Sequence, residues 1–109
     1  MKESIIKKYS PRAETAFYIL LSLKKENHGY SITQEVETLT QGEVVIGAGT
    51  MYGSLNKFEG DGLINFIRQE DKRKYYRLTD LGHEVLELEE KRVNRILKNI
   101  EVVKENEVI

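Results

Sequence analysis

The sequence predicts a mainly helical domain that carries one β-hairpin and continues into a long C-terminal helix. Three helical patterns of apolar residues occupy the chain up to about residue 61. Two strand-like runs with polar residues between them follow at 63–78. From residue 79 the apolar side chains return at helical spacing and recur every seven residues. The whole chain has 109 residues, a length that suits one domain.

The first two helices are separated by the polar segment that ends at Gly29. Ser10 and Pro11 predict the start of the first helix, because serine is a common N-cap and proline is favoured in the first turn. This helix is apolar on more than one face, which predicts a central position in the fold. A second helix is predicted to begin near Ser31 and to end at Thr40.

The third helix is predicted from Thr50, its expected N-cap, to about Asp61, and Gly62 is expected to end it. Just before it, residues 44–46 form a short β-prone run that predicts at most a minor strand. One side of the helix is a narrow apolar stripe formed by Met51, Leu55 and Phe58. The opposite side is small or polar, and consists of Thr50, Gly53, Asn56, Lys57 and Gly60.

The two strand-like runs predict a β-hairpin with strands at 63–68 and 74–78. The five residues between the strands are all polar, as expected for an exposed loop. Three cationic side chains follow one another at the predicted tip, namely Lys72, Arg73 and Lys74.

The last segment is predicted to be one helix, capped by Thr79, that runs almost to the C-terminus. Its near half is expected to pack on the first helix through Leu81, Val85 and Leu88. The far half carries an apolar stripe that a small domain cannot cover by itself. We therefore expect it to pair with a second copy of the chain. The alternative is that the stripe packs back on the first helix of its own chain. The stripe consists of Val93, Ile96, Ile100 and Val103.

Composition excludes several classes of function. The chain has no cysteine, so disulfides, thiolate metal sites and a cysteine nucleophile are excluded. Its two histidines lack neighbours at metal-ligand spacing, and there is no catalytic set and no phosphate-binding glycine loop. We therefore predict no enzyme, no metal and no cofactor. No signal peptide and no apolar run of membrane-spanning length are present, which predicts a cytoplasmic protein without membrane contact.

Three helices followed by a hairpin describe a winged helix-turn-helix, in which the third helix enters the major groove of DNA. The net charge is only −1, but residues 49–78 carry six basic and four acidic side chains. Asn56 is suited to reading an adenine edge, and Lys57 a guanine edge or a phosphate. The cationic hairpin tip is suited to the DNA backbone or the minor groove. The alternative is that these are ordinary solvated side chains.

Five segments of the chain follow one another in order: Phe17–Leu23, His28–Ile32, Gly49–Tyr52, Gly62–Ile64 and Arg73–Gly82. In these segments the chain resembles the PadR family of bacterial transcriptional regulators, and the resemblance covers residues 12 to 83. The short tail is similar to a smaller subclass of the family that includes multidrug-sensing repressors. The chain has Gly53 where the family often has proline, and it has no tryptophan in the last helix, where Val93 lies near the family's ligand-stacking position.

The resemblance implies a sequence-specific dimeric repressor that binds double-stranded DNA at an inverted-repeat operator and is released by a small effector at the dimer interface. It also places Tyr30, Thr50, Tyr52 and Lys57 on the DNA-facing helices, beside the cationic hairpin. Residues 1–78 would then form the winged helix-turn-helix, and 79–109 a dimerisation helix packed on it. The alternative function is a winged-helix module that binds another protein and has no specific affinity for DNA.

Overall fold

The computed structural model describes residues 12–106, with side chains from residue 14 onward, and shows the predicted mainly helical fold. Within these described residues there are four helices: α1 (Arg12–Ser22), α2 (Gly29–Leu39), α3 (Ala48–Gly60) and α4 (Asp80–Asn106). The same part of the chain contains three strands: β1 (Asn27–His28), β2 (Ile64–Glu70) and β3 (Arg73–Leu78). The predicted cap at Ser10 and Pro11 lies outside the described residues.

One hydrophobic core holds the elements together. Helix α1 packs on α2 and α4, and α2 packs on α3. Ile19 of α1 and Leu23, which directly follows the helix, are fully buried, while Phe17, Tyr18 and Leu21 on the other faces of α1 are half-buried. The prediction that α1 is central to the fold, made because it is apolar on more than one face, is therefore confirmed.

The three strands form one antiparallel sheet in the order β1-β3-β2. The minor strand predicted at residues 44–46 is wrong, because that segment is irregular and the third strand is Asn27–His28. The hydroxyl of Thr40 hydrogen-bonds to both the N–H and the carbonyl of Val44, and Ile46 is buried in the core, so the segment is held without a strand partner. Strand β1 instead pairs with the free edge of β3.

Two helices begin earlier than predicted. The structure places the start of α2 at Gly29 with His28 as its N-cap, two residues before Ser31. It places the start of α3 at Ala48 with Gly47 as its N-cap, so Thr50 lies in the first turn and is not the cap. The backbone N–H of Met51 donates to the carbonyl of Gly47, which makes the turn before Thr50 already helical. At the other end Gly62, with a φ of 77°, ends α3 as predicted.

Helix α4 is oriented by its first turn. The Thr79 hydroxyl accepts from the N–H of Gly82, as predicted for a cap. Gly82 and Leu86 face the core, whereas Leu81 and Leu88 are exposed, so the predicted inner face is wrong for these two residues. The cause is Gly82, which lies against the backbone of Leu63 and so fixes the rotation of the helix. No helix of the described residues is long and apolar enough to cross a membrane.

Candidate nucleic-acid interface

Helix α3 has one buried and one exposed side. Met51, Leu55 and Phe58 are buried, as the predicted stripe requires. The opposite ridge has Gly53 and Gly60 at its centre, and a Cβ placed on either would meet no heavy atom within 4 Å apart from its chain neighbours and the nearby backbone of α3 itself. A second surface can therefore approach the α3 backbone closely along this ridge. The polar side chains of Asn56 and Lys57 flank it, and both are exposed.

The structure brings most of the predicted DNA-facing residues together in one open cleft of about 350 Å³. The cleft lies between the N-terminus of α2, the outer face of α3 and the wing, by which we mean residues 64–78. Its predicted members are Tyr30, Tyr52, Asn56, Lys72, Arg73 and Lys74.

The other two predicted residues lie on the opposite flank of α3. Thr50 and Lys57 line a separate groove that α3 forms with Thr15 and Ala16 of α1. The 100° turn per residue of a helix places Asn56 toward the wing and Lys57 toward α1. The two side chains therefore reach different parts of any ligand that lies along α3.

The tip of the wing is tighter than the predicted five-residue loop. Glu70 pairs with Arg73, so Asp71 and Lys72 alone form the turn, with φ of 51° and 65°. Positive φ at both central residues is the two-residue turn that suits the twist of a hairpin. Lys72 thus lies at the tip, while Arg73 and Lys74 lie on opposite faces of β3.

Tyr30 connects α2 to the wing. The residue is 62% exposed, and the guanidinium of Arg73 lies 5.8 Å from the centroid of its ring. The amide of Gln34 donates a hydrogen bond of 3.1 Å to the Tyr30 hydroxyl. A cation at this distance from an aromatic ring is attracted by its face, so the contact orients Arg73 toward the cleft.

Sequence reasoning missed Asn27, a buried polar residue of β1 that is hydrogen-bonded to residues of α1 and α2. Its side-chain amide donates to Glu35 at 2.6 Å and to the carbonyl of Ser22 at 3.4 Å. Its side-chain oxygen accepts from the N–H of His28 at 2.9 Å. The side chain is 5% exposed and therefore needs these partners. No periodicity marks such a residue, because its role depends on contacts between elements.

Glu35 completes this network from α2. Burial alone raises the pKa of its carboxyl, but hydrogen bonds from Lys25 and Asn27, together with the charge of Lys25, lower the pKa below its usual value. The Lys25 ammonium lies 2.9 Å from one carboxylate oxygen. The network therefore holds the ionised form of Glu35 and ties α2 to the segment that precedes it.

Comparison with known proteins decides the family. The profile of the transcriptional regulator PadR-like family matches residues 19–88, which is more than half of the chain. The chain belongs to this family. The match spans α2, α3, the wing and the start of α4, so it includes all the residues that line the cleft.

Two relatives of this PadR-like chain align with more than half of it. It is 30% identical over 77 residues to the transcriptional regulator YqjI of Escherichia coli, an alignment that covers 71% of this chain and 37% of YqjI. An uncharacterised protein of Lysinibacillus sphaericus is 35% identical over 66 residues, which cover 57% of this chain and 61% of that protein. The chain thus aligns with less than two thirds of the length of either relative.

Solved structures of other bacterial proteins share the fold of this PadR-like chain. A protein from Streptococcus mutans UA159 matches with a TM-score of 0.72 and 29% identity, covering 93% of this chain and 97% of the other. Bacillus subtilis PadR, solved in complex with operator DNA, matches with a TM-score of 0.60 and 30% identity, covering 71% of this chain and 46% of the other.

Within the described residues of the PadR-like chain, no group of three or more histidine or acidic side chains is arranged to hold a metal ion.

Proposed function

We propose that this PadR-like regulator binds an inverted-repeat operator as a homodimer and represses transcription until a small effector releases it. The observation that carries the proposal is the cleft, in which an accessible face of α3 lies beside three cationic side chains of the wing. A helix of this kind fits the major groove, and the cations then lie near the phosphates that border it. The operator complex of Bacillus subtilis PadR supports this reading.

Two flanks of α3 would have separate roles. Asn56 and Tyr52 face the wing side and are suited to base edges, since asparagine can bind adenine through two hydrogen bonds. Lys57 and Thr50 face the α1 side and are suited to a guanine edge or a phosphate there. Tyr30 and the wing would contact the DNA backbone. Arg73 would be the side chain of the wing best suited to enter the minor groove, because arginine commonly binds there.

Dimerisation is proposed through the far half of α4, so that residues 1–78 bind DNA and 79–109 pair the two copies. The helix continues well past its last buried residue, Leu86. Beyond it the apolar side chains Val93, Ile96, Ile100 and Val103 recur on one stripe and are all at least 40% exposed. A repeating apolar stripe on a projecting helix is most simply covered by another helix.

An effector is proposed to bind in the groove between α1 and α4, which has a volume of about 610 Å³. Its lining is mainly apolar and includes the rings of Phe17 and Tyr18. Val93 and Ile96 belong both to this groove and to the dimerisation stripe. A planar apolar molecule that binds there would change the packing of the two copies and so the spacing of their α3 helices.

The experiment that tests DNA binding is selection of bound duplexes from a random pool, followed by a salt titration of the selected duplex. A repressor is expected to enrich an inverted repeat, and its affinity should fall linearly with the logarithm of the salt concentration. If no duplex binds at low salt, while a protein partner binds with little salt dependence, the alternative of a protein-interaction module is correct. The proposed effector is tested by adding planar aromatic compounds to the complex with the enriched duplex, which they are expected to release.

The dimer is tested by light scattering at micromolar concentration. The wild type is expected to have twice the mass of the chain, and the double variant Ile96→Glu with Ile100→Lys is expected to be monomeric or unfolded, because it places charges in the apolar stripe. Leu81→Glu is a matched control, since Leu81 is an exposed leucine at the other end of the same helix. A wild type that is monomeric at high micromolar concentration contradicts the proposed dimer.

A further inference from the structure

Three side chains form a row across the sheet, one from each strand. His28 of β1 pairs with Tyr75 of β3, and Tyr75 pairs with Arg68 of β2, so all three lie on the same face. The rings of His28 and Tyr75 meet edge to face at 5.0 Å between centroids. The guanidinium of Arg68 lies 4.2 Å from the centroid of the Tyr75 ring. This face is opposite the one on which Tyr76 and Leu78 are buried.

A β-bulge in the wing is what places Arg68 in this row. Phe66 pairs with Tyr76 and Arg68 pairs with Tyr75, so Ile67 is an extra residue in β2. Without the bulge, strand alternation would place Arg68 on the same face as Phe66. The extra residue reverses that alternation and turns the arginine toward Tyr75.

Two carboxylates hold the Arg68 guanidinium from opposite ends of the row. Glu70, two residues further along β2, accepts from Nε at 3.1 Å. Glu26, which directly precedes β1, forms an ion pair with Nη1. Glu26 belongs to the segment between α1 and β1, so this ion pair links the wing to the body of the domain. Among the described ion pairs it is the one that makes this link.

The main contacts of the wing with the body of the domain are those of β3 with β1, α2 and α4, and those of β2 with α3. Strand β1 is only two residues long and pairs with β3 alone, so β2 is held to the body through β3, through α3 and through Arg68. The cationic tip begins four residues after Arg68, at Lys72. A small change in the angle of the hairpin at Arg68 would therefore move the tip relative to α3.

We infer that Arg68, held by Glu26, is a positioning residue that sets the angle of the wing for DNA binding and does not itself contact DNA. The inference rests on the proposed function. Two acidic groups on one guanidinium offset its charge, so Arg68 attracts phosphate less than a free arginine does. Its planar fork can bind both carboxylates while stacking on Tyr75, a combination that lysine cannot reproduce.

The test uses Glu26→Gln, because the two interpretations predict opposite signs for this variant. If only charge matters, removal of an acidic group strengthens binding to DNA. If Arg68 positions the wing, the variant binds a duplex selected by the wild type about fivefold more weakly, which is about the most that a half-exposed ion pair usually supplies. Glu43→Gln is the matched control: the acid is exposed and lies in the loop between α2 and α3. We expect it to bind as tightly as the wild type or more tightly.

Arg68→Lys is a second variant for which the two interpretations predict different affinities for DNA. It keeps the positive charge, so it should bind like the wild type if Arg68 contacts phosphate as a simple cation, and about fivefold more weakly if its fork is needed for positioning. Glu26→Gln is also made in a protein whose Lys72, Arg73 and Lys74 are all alanine. Because the effect is transmitted through the wing tip, it should disappear in that background.

Binding is measured by fluorescence anisotropy with the selected duplex, and thermal unfolding and dimer mass are recorded for every variant. Weaker binding by Glu26→Gln and Arg68→Lys, with both effects lost in the alanine background, supports the inference. Equal or tighter binding by Glu26→Gln, or an effect that persists without the cationic tip, overturns it and leaves the proposed function standing. A wild type that binds no duplex at any salt concentration overturns both.

Discussion

The Nδ1 atom of His28 accepts a hydrogen bond of 3.3 Å from the backbone N–H of Ser31, and so caps helix α2. Only an unprotonated Nδ1 can accept this bond. Burial lowers the pKa of the imidazole, and the positive charge of Arg73 lowers it further, whereas Glu35 acts in the opposite direction. The neutral ring is thus the form that the folded protein stabilises.

Stability should therefore fall when the solution is acidified below about pH 6.5, the ordinary pKa of histidine. Because the folded-state pKa of His28 is lowered, the unfolded chain binds the proton more tightly than the folded protein does. The contribution of the neutral His28 to the free energy of unfolding is therefore fully present above pH 6.5 and is lost as the pH falls toward the folded-state pKa. Urea unfolding between pH 7.5 and 5 measures the change. The carboxyl of Glu35 does not interfere, since its pKa is lowered: its contribution to stability is present above about pH 4.5 and is lost only as the pH falls below that value.

The variant His28→Asn separates the cap from the titration. Asparagine is a good N-cap and does not titrate, so this variant should show a smaller loss of stability over the same pH range. His83→Asn is the matched control, because His83 is the other histidine of the chain and is exposed on α4. If His28→Asn has the same pH dependence as the wild type, the cap does not titrate as we expect.

A second prediction concerns Gly82, at the start of α4. A Cβ on this residue would lie 2.0 Å from the carbonyl oxygen of Leu63, which also accepts from the N–H of Thr79. Because the obstacle is backbone, Gly82→Ala is expected to destabilise the protein by about 1–3 kcal/mol, the range for overpacking a core. Gly53→Ala is the control: it lies in the interior of α3 with open space around it and should stabilise by about 1 kcal/mol. Thermal unfolding that is the same for both variants contradicts the prediction.

The order of the elements was predictable because each has its own periodicity. The stripe Met51, Leu55 and Phe58 indicates a helix whatever it packs against, and the polar run between the strands indicates a hairpin. The missed elements depend on partners that are distant in the sequence. Strand β1 exists only because β3 has a free edge, and Asn27–His28 has no alternation that marks a strand. Contacts between elements, and not local preference, decide such short segments.

The residues of the candidate site were predictable from the sequence, but which of them lie together in the structure was not. The tyrosines came from the family resemblance, and the wing cations came from their position in the hairpin. The sequence could not show that Asn56 lies in the wing cleft while Lys57 lies on the α1 side, because this depends on how α3 packs. The row that contains Arg68 depends on a β-bulge at Ile67, and no residue type in β2 predicts a bulge there.

A third prediction concerns the two flanks of α3. Asn56→Ala and Lys57→Ala should each weaken binding to the selected duplex by roughly 1–3 kcal/mol if they make bidentate base contacts. Since the two residues lie on different flanks, they should change sequence preference at different base pairs. Repeating the selection with each variant measures this. Glu59→Ala, an exposed α3 residue that lines neither groove, is the control. Wild-type preference in both variants would place the base-reading surface elsewhere.

The last prediction is that the wing binds the DNA backbone and not the sequence. Lys72 lies in the turn, and Arg73 and Lys74 lie on opposite faces of β3, so one or two of the three can reach phosphate together. Replacing all three by alanine should weaken binding to the selected and to a random duplex about equally, and should reduce the salt slope by about one unit per lost phosphate contact. Dimer mass should not change, because the wing cleft and the stripe of α4 share no residue.

The measurement is a salt titration of both duplexes with both proteins, and Lys98→Ala, an exposed cation on α4, is the control. An unchanged slope would show that the tip remains in solvent, and a loss confined to the selected duplex would show that it reads bases.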